Sequence, residues 1–291
     1  MGDNMKTDFS YIDINTALKV LGSINENDVL KQGVNSSTYY YKEYAILKTA
    51  NMNYRNVSVE DHDLKHFDDV IKQLMELKKH AINVVPILGY QYDDESDEKE
   101  GLIIQEKAKG DELYDDSIIM EFYVFAQNGE SDLETRNQAK EYILKRTKYV
   151  SKIKQEHFDK FISDSMTILN HHLLIDFFGK SNFYYDEEVG IQFIDIKSHD
   201  DYYYGLTENK MDINQIISLF GFMPCHLDES SGFLGHMGLS HQALNEVFTK
   251  DELLELSQYN NNIFEKCSKA MISAGIPAEK INESISKIKL F

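Results

Sequence analysis

Three side chains between residues 176 and 195 have the types and the spacing that phosphate chemistry needs. Asp176 is followed six residues later by Asn182, and Asn182 thirteen residues later by Asp195. Two short aromatic and aliphatic runs separate the last two: Asn182-Phe183-Tyr184-Tyr185 and Ile191-Gln192-Phe193-Ile194. The polar stretch Asp186-Glu187-Glu188-Val189-Gly190 joins them, so the pattern predicts two strands and a tight turn. A hairpin of that length brings Asn182 and Asp195 side by side. Oxygen ligands from an Asn and an Asp suit Mg²⁺, which keeps water and phosphate oxygens as its other ligands. A further carboxylate, Asp176, could orient a hydroxyl and accept its proton. Together these are the parts of a phosphoryl-transfer site.

The elements that must position these residues are legible as patterns. Tyr39-Tyr40-Tyr41 and Tyr44-Ala45-Ile46-Leu47-Lys48 read as strands split by Lys42-Glu43, which suits a hairpin. From Ser58, a plausible N-cap, to about His80 the pattern is helical. Leu64, Phe67, Ile71, Leu74 and Leu77 recur there at three- and four-residue steps. Asn83 to Tyr90 then reads as a strand, Asp93 to Glu100 as an acidic solvated loop, and Leu102 to Gln105 as the next strand. After Gly110 the chain turns mostly helical. Phe158, Phe161, Ile162, Ser165, Met166 and Leu169 mark one helix ending near His171-His172. Beyond Met211 the pattern is helical to the end, with Pro277 placed to begin a last helix. The order predicts an α+β chain of two lobes with a cleft between them. Residues 1–106 would be the β-rich lobe with one long helix, and residues 107–291 the helical lobe.

On residues 176–195 the sequence resembles the protein-kinase-like superfamily, particularly its aminoglycoside-phosphotransferase-like and small bacterial kinase branches. The resemblance extends from about Leu30 to Phe220, and residues 182–195 are its most specific piece. It implies that Asp176 is the catalytic base and that Asn182 and Asp195 are metal ligands. It further implies that Lys48, in Tyr44-Ala45-Ile46-Leu47-Lys48, holds the α- and β-phosphates of ATP. The loop Lys31 to Thr38, with Gly33, would cover those phosphates. Leu102 to Gly110 would be the last N-lobe strand and the hinge, with backbone groups near Glu106 and Ala108 meeting the adenine edge. An acid of the preceding helix would pair with Lys48; counting back from Val85-Pro86 favours Asp69, with Glu76 the alternative. The implied activity is transfer of the γ-phosphate of ATP, with Mg²⁺, to a hydroxyl of a small molecule or a protein.

The match has departures. The Asp176–Asn182 step is one residue longer than the family's usual five, no Phe-Gly follows Asp195, and Gly33 is the single glycine of its loop. No Ala-Pro-Glu motif follows, and only about 15 residues separate Asp195 from the next helix. These departures leave, as the alternative reading, a pseudokinase: a catalytically inactive nucleotide sensor or protein-interaction module.

Composition narrows the partners. The chain has 291 residues, 30 basic and 49 acidic side chains, and a net charge of −19. That field disfavours nucleic acid and anionic membrane surfaces and favours a cationic acceptor. Asp200-Asp201 and the run Tyr202-Tyr203-Tyr204, just after Asp195, have the chemistry for such an acceptor. Two cysteines, Cys225 and Cys267, cannot build a disulfide framework. Cys225, His226, His236 and His241 form a loose cluster without the spacing of a zinc site. No apolar run approaches the length of a membrane span and no signal peptide is legible, so a cytoplasmic location is expected.

Overall fold

The computed structural model describes residues 29–32, 36–41, 44–49, 70–93, 100–115, 118, 133–171, 182–194 and 247–288. They build a mixture of helices and antiparallel sheets, grouped in two compact units.

The first unit holds a five-stranded antiparallel sheet. Its strands are β1 (Val29–Gln32), β2 (Ser36–Tyr41), β3 (Tyr44–Thr49), β4 (Ile87–Asp93) and β5 (Glu100–Glu106), in the order β1-β2-β3-β5-β4. Tyr41 pairs with Tyr44, so only Lys42 and Glu43 connect β2 to β3, as the sequence predicts for a hairpin. β3 lies between β2 and β5, with Lys48 opposite Ser37 on one side and Leu102 on the other. Ile103 and Ile104 are adjacent on β5 and both are buried. Successive strand residues face opposite ways, so both faces of the sheet are covered at this point.

One cover is the helix α1, whose described part is residues 70–79. Ile71 and Leu74 pack on Ile103, with Val70, Met75 and Ile87 around them. Leu77 is fully buried one turn further on. Burying each such side chain contributes about 1.5–3 kcal/mol, and the three-and-four spacing aims all three at one place. The helix start at Ser58 lies outside the described residues.

The strand expected from Asn83 begins only at Ile87. Two local facts set that start. Pro86 has no N–H to give a ladder, and its carbonyl instead receives the Glu106 N–H at 3.0 Å. Asn83, three residues earlier, belongs with the second unit.

The second unit contains α2 (Leu133–Val150), α3 (Gln155–Asn170), α4 (Lys250–Ser273) and α5 (Ala278–Ile288). It also contains a small sheet of β6 (Asp111–Glu112), β7 (Phe183–Asp186) and β8 (Gly190–Phe193), in that order. Thr249 and Glu252 cap the start of α4 reciprocally, side chain to backbone in both directions. The buried stripe of α4 includes Leu253, Leu256, Ile263, Phe264, Cys267, Ala270 and Met271. Lys266 leaves that stripe and donates from Nζ to the carbonyls of Ser151 and Ile153, each at 2.7 Å. Those carbonyls lie in the turn between α2 and α3, so one ammonium ties three helices together. Burial holds the Lys266 ammonium below its ordinary pKa, and burial pushes the Cys267 thiol far up, which leaves that sulfur unreactive. As expected from its position, Pro277 immediately precedes α5.

β6 is an element that the sequence pattern does not announce, since residues after Gly110 read as helical. It exists because Gly110 adopts φ +75°, turning the chain against β7. A Cβ there would lie 2.0 Å from the Tyr185 carbonyl oxygen. Gly110→Ala is therefore expected to cost more than about 2 kcal/mol, from positive φ and a backbone clash together. A denaturant-midpoint measurement on the variant checks this, and a loss below about 0.5 kcal/mol, the size of an ordinary surface substitution, would contradict the clash.

Candidate phosphate-chemistry site

The hairpin forms where the sequence places it. Phe183 pairs with Phe193, Tyr184 with Gln192, Tyr185 with Ile191 and Asp186 with Gly190. Asp186 builds the turn with its side chain: Oδ1 accepts the N–H of Glu188 at 2.8 Å and of Val189 at 3.1 Å. These two donors hold its carboxyl below the usual carboxylate range. Gly190 closes the turn at φ +82°, a conformation that favours glycine.

The pairing continues one step beyond the strands. Ile194 donates its N–H to the Asn182 carbonyl at 3.1 Å. Asn182 is thereby fixed opposite the residue that precedes Asp195. Asp195 itself, like Asp176, Gly33 and Asp69, lies outside the described residues, as do Asp200, Asp201, Tyr202–Tyr204 and the Cys225, His226, His236, His241 cluster.

Three rings hold this end of the hairpin. Phe161 of α3 stacks on Phe193 at 5.1 Å between centroids, and meets Phe183 edge-on at 5.7 Å. Phe183 and Phe193 meet edge-on at 5.5 Å, and all three are excluded from solvent. Such pairs add about 0.5–1.5 kcal/mol each beyond the area they bury.

On the other strand of the small sheet, Leu113 donates its N–H to Phe183 O at 2.7 Å. The side chain of Gln192, buried in β8, accepts the Lys109 N–H at 2.8 Å. Arg146 of α2 donates from Nε to Leu113 O at 2.6 Å, and the Tyr142 hydroxyl accepts the Asp115 N–H at 2.5 Å. Burial pushes the Tyr142 hydroxyl up to about 12, so it stays protonated at any working pH. The chain that follows the expected hinge is thus fastened to β7, β8 and α2 by its backbone.

The remaining sequence candidates belong to the first unit. Lys48 has its backbone in β3, beside β5. Glu106 and Ala108 are half-buried at the end of β5, with the Glu106 amide already committed to Pro86 O. Glu76 forms an ion pair with Lys79 on the surface of α1, one turn along the same helix.

Two residues that the sequence reading passes over are central to the hairpin. Asn83 donates from Nδ2 to the carbonyls of Val189 (2.9 Å) and Ile191 (2.7 Å), and its own carbonyl accepts the Phe193 N–H (2.9 Å). Its N–H donates to Oδ2 of Asp164 at 3.1 Å. Asp164 is only 4% exposed, on the inner stripe of α3 with Phe161, Ile162 and Ser165. Burial pushes its carboxyl above the ordinary range, while Lys160 and the Asn83 amide oppose that rise. An acid within an apolar helical stripe is the signal that could have marked Asp164. For Asn83 no local signal exists.

Among the described residues, no group of three or more His, Cys, Asp or Glu side chains converges as a metal site. Nor, among them, is any helix long and apolar enough to cross a membrane.

No protein-family model and no curated protein matches the chain. Among solved structures it is similar to amicoumacin kinase hAmiN, determined in complex with AMP-PNP, Ca²⁺ and Ami. The identity is 13%, the alignment covers 88% of this chain and 94% of that one, and the TM-score is 0.30.

Two outcomes are expected from the geometry. Phe193→Ala, which empties the centre of the ring cluster, is expected to destabilise by about 3–5 kcal/mol in a denaturant titration. Asp164 gives a pH signature. A carboxyl raised by folding contributes stability that is complete below about pH 4 and is lost as pH rises through the raised value. Asp164→Asn should flatten that part of the stability–pH profile, and an unaltered profile would contradict the raised carboxyl.

Proposed function

We propose that the chain is an ATP-dependent phosphotransferase acting on a hydroxyl acceptor. The observation that carries this reading is the Ile194 N–H bonded to Asn182 O, because it places Asn182 opposite the residue preceding Asp195. An amide oxygen and a carboxylate set on adjacent strand ends suit a hard divalent cation. Asn182 and Asp195 would hold Mg²⁺, which when bound neutralises charge on the β- and γ-phosphates. Asp176 would take the proton of the acceptor hydroxyl. In the first unit, Lys48 would pair with the α- and β-phosphates and the Gly33 loop would cover them. Asp69, or Glu76 in its place, would hold the Lys48 ammonium. Backbone groups near Glu106 and Ala108 would meet the adenine edge, the Glu106 N–H itself being given to the Pro86 carbonyl. The acceptor is a small molecule or a protein Ser/Thr, and the −19 net charge favours a cationic one.

A test starts with thermal stabilisation by ATP and Mg²⁺, then turnover by release or transfer of the γ-phosphate. Asp176→Ala and Asp195→Ala are each expected to lower turnover by at least ~10², the scale of general-base and electrostatic losses. Lys48→Ala is expected to weaken ATP about 10- to 100-fold, the loss of one charge-assisted hydrogen bond. Full turnover in both Asp variants would overturn the site assignment. Tight nucleotide binding without turnover in the native chain would favour the pseudokinase reading, to which the long Asp176–Asn182 step also points.

A further inference from the structure

Asp164 is a buried carboxylate for which phosphoryl transfer itself has no use. Replacing a buried charge by a well-packed apolar side chain is often neutral or stabilising, so stability alone does not account for it. What the carboxylate does is grip a short piece of chain at both ends. Oδ2 accepts the Asn83 N–H at 3.1 Å, and Oδ1 is paired with Lys160. Lys160 in turn donates to the Ala81 carbonyl at 2.9 Å. Ala81 has φ 54°, so the segment is bent sharply here, and the rings of His80 and His171 lie 3.8 Å apart beside it.

The gripped segment presents Asn83 to the outer edge of β8. In the sheet order β6-β7-β8 that strand is last, and among the described residues β7 is its one neighbour. Three backbone groups on that side, the carbonyls of Val189, just before the strand, and of Ile191, and the Phe193 N–H, bond to Asn83. One asparagine therefore stands in for a missing neighbouring strand. Strand register has a period of two, and a one-residue slip would turn Phe193 away from Phe161 and separate Ile194 from Asn182. A four-residue strand has little pairing of its own to prevent such a slip.

We propose that Asp164 is a positioning residue: by holding the Asn83 amide it keeps Asn83 on the outer edge of β8 and so fixes Ile194, the residue before Asp195 in the chain, against Asn182. The proposal rests on the reading of Asn182 and Asp195 as metal ligands. Groups that orient ligands from behind typically control metal affinity by 10- to 100-fold.

The experiment uses the full chain and Mg²⁺ as the probe. Thermal stabilisation by ATP is titrated with Mg²⁺, nucleotide affinity is measured separately in EDTA, and hydrogen exchange is followed in peptides covering Phe193 and Ile194. Asp164→Ala and Asn83→Ala are expected to raise the Mg²⁺ concentration for half-maximal effect about 10- to 100-fold, with faster exchange at Phe193 and unmoved affinity in EDTA. Asp164→Asn keeps an oxygen for the Asn83 N–H and should recover most of the loss. A loss in Asp164→Asn as deep as in Asp164→Ala would overturn the hydrogen-bond account. Faster exchange in Asp164→Ala and Asn83→Ala with native Mg²⁺ dependence would reduce the tie to a structural one and overturn the positioning role. If Asp164→Ala does not fold, Asn83→Ala and Asp164→Asn decide. Failure of the phosphotransferase reading shows up earlier, as absent Mg²⁺-dependent ATP stabilisation in the native chain, and removes the positioning role with it.

Discussion

Everything around the hairpin follows from the need to satisfy the backbone of β8. Gly190, Ile191, Gln192 and Phe193 are all buried, and a buried N–H or carbonyl without a partner costs about 1–3 kcal/mol. β7 satisfies the groups that face it, through the ladder that ends at Ile194 and Asn182. Among the described residues no strand lies along the other edge, which takes the Asn83 side chain and carbonyl instead. Once those bonds are made, the strand cannot slide without breaking them. The position of its last residue becomes a property of the core. A site needing two oxygen ligands at fixed separation gains from being attached to such a strand.

The cations of the second unit are used in a related way. Although the chain carries an excess of acid, three basic groups among the described residues turn to carbonyl oxygens. Lys266 serves Ser151 and Ile153, Lys160 serves Ala81 and Asp164, and Arg146 serves Leu113. A carbonyl at a turn or helix end has an unused lone pair, and an ammonium or guanidinium satisfies it while staying solvated in part. The consequence for phosphate chemistry is that these cations are already engaged. In the proposed reading, a polyanion such as ATP would depend on Lys48, a divalent cation and backbone N–H groups, against a net charge of −19.

The first unit solves a simpler problem. Its five strands are antiparallel, and α1 covers one face at Ile71, Leu74 and Ile103. β3, which carries Lys48, has a neighbour on each side, so its backbone is fixed by two ladders. β5 leads from that same ladder directly to Glu106 and Ala108.

Much of this is local and therefore legible in the sequence. The β2–β3 connection is written in Lys42-Glu43, the β7–β8 turn in Asp186 and Gly190, α3 in the spacing of Phe158, Phe161 and Ile162, and the α1 face in Ile71, Leu74 and Leu77. Each depends on residues within about ten positions of one another, where periodicity and turn chemistry act. The later start of β4, the short β6 and the partnership of Asn83 with Asp164 have no such signature. The Pro86 carbonyl is paired only because Glu106 lies opposite it, and Gly110 must be glycine because its φ is positive and Tyr185 O is behind it. Asn83 and Asp164 are 81 residues apart, and a single asparagine after a helix is the same letter whether it faces solvent or completes a sheet. The sequence by itself determined which segments become strands and helices and where Asn182 sits in its hairpin. The tertiary structure decided which long-range polar bonds hold that hairpin in register, because burial sets the cost of an unpaired group and only the folded chain determines what is buried.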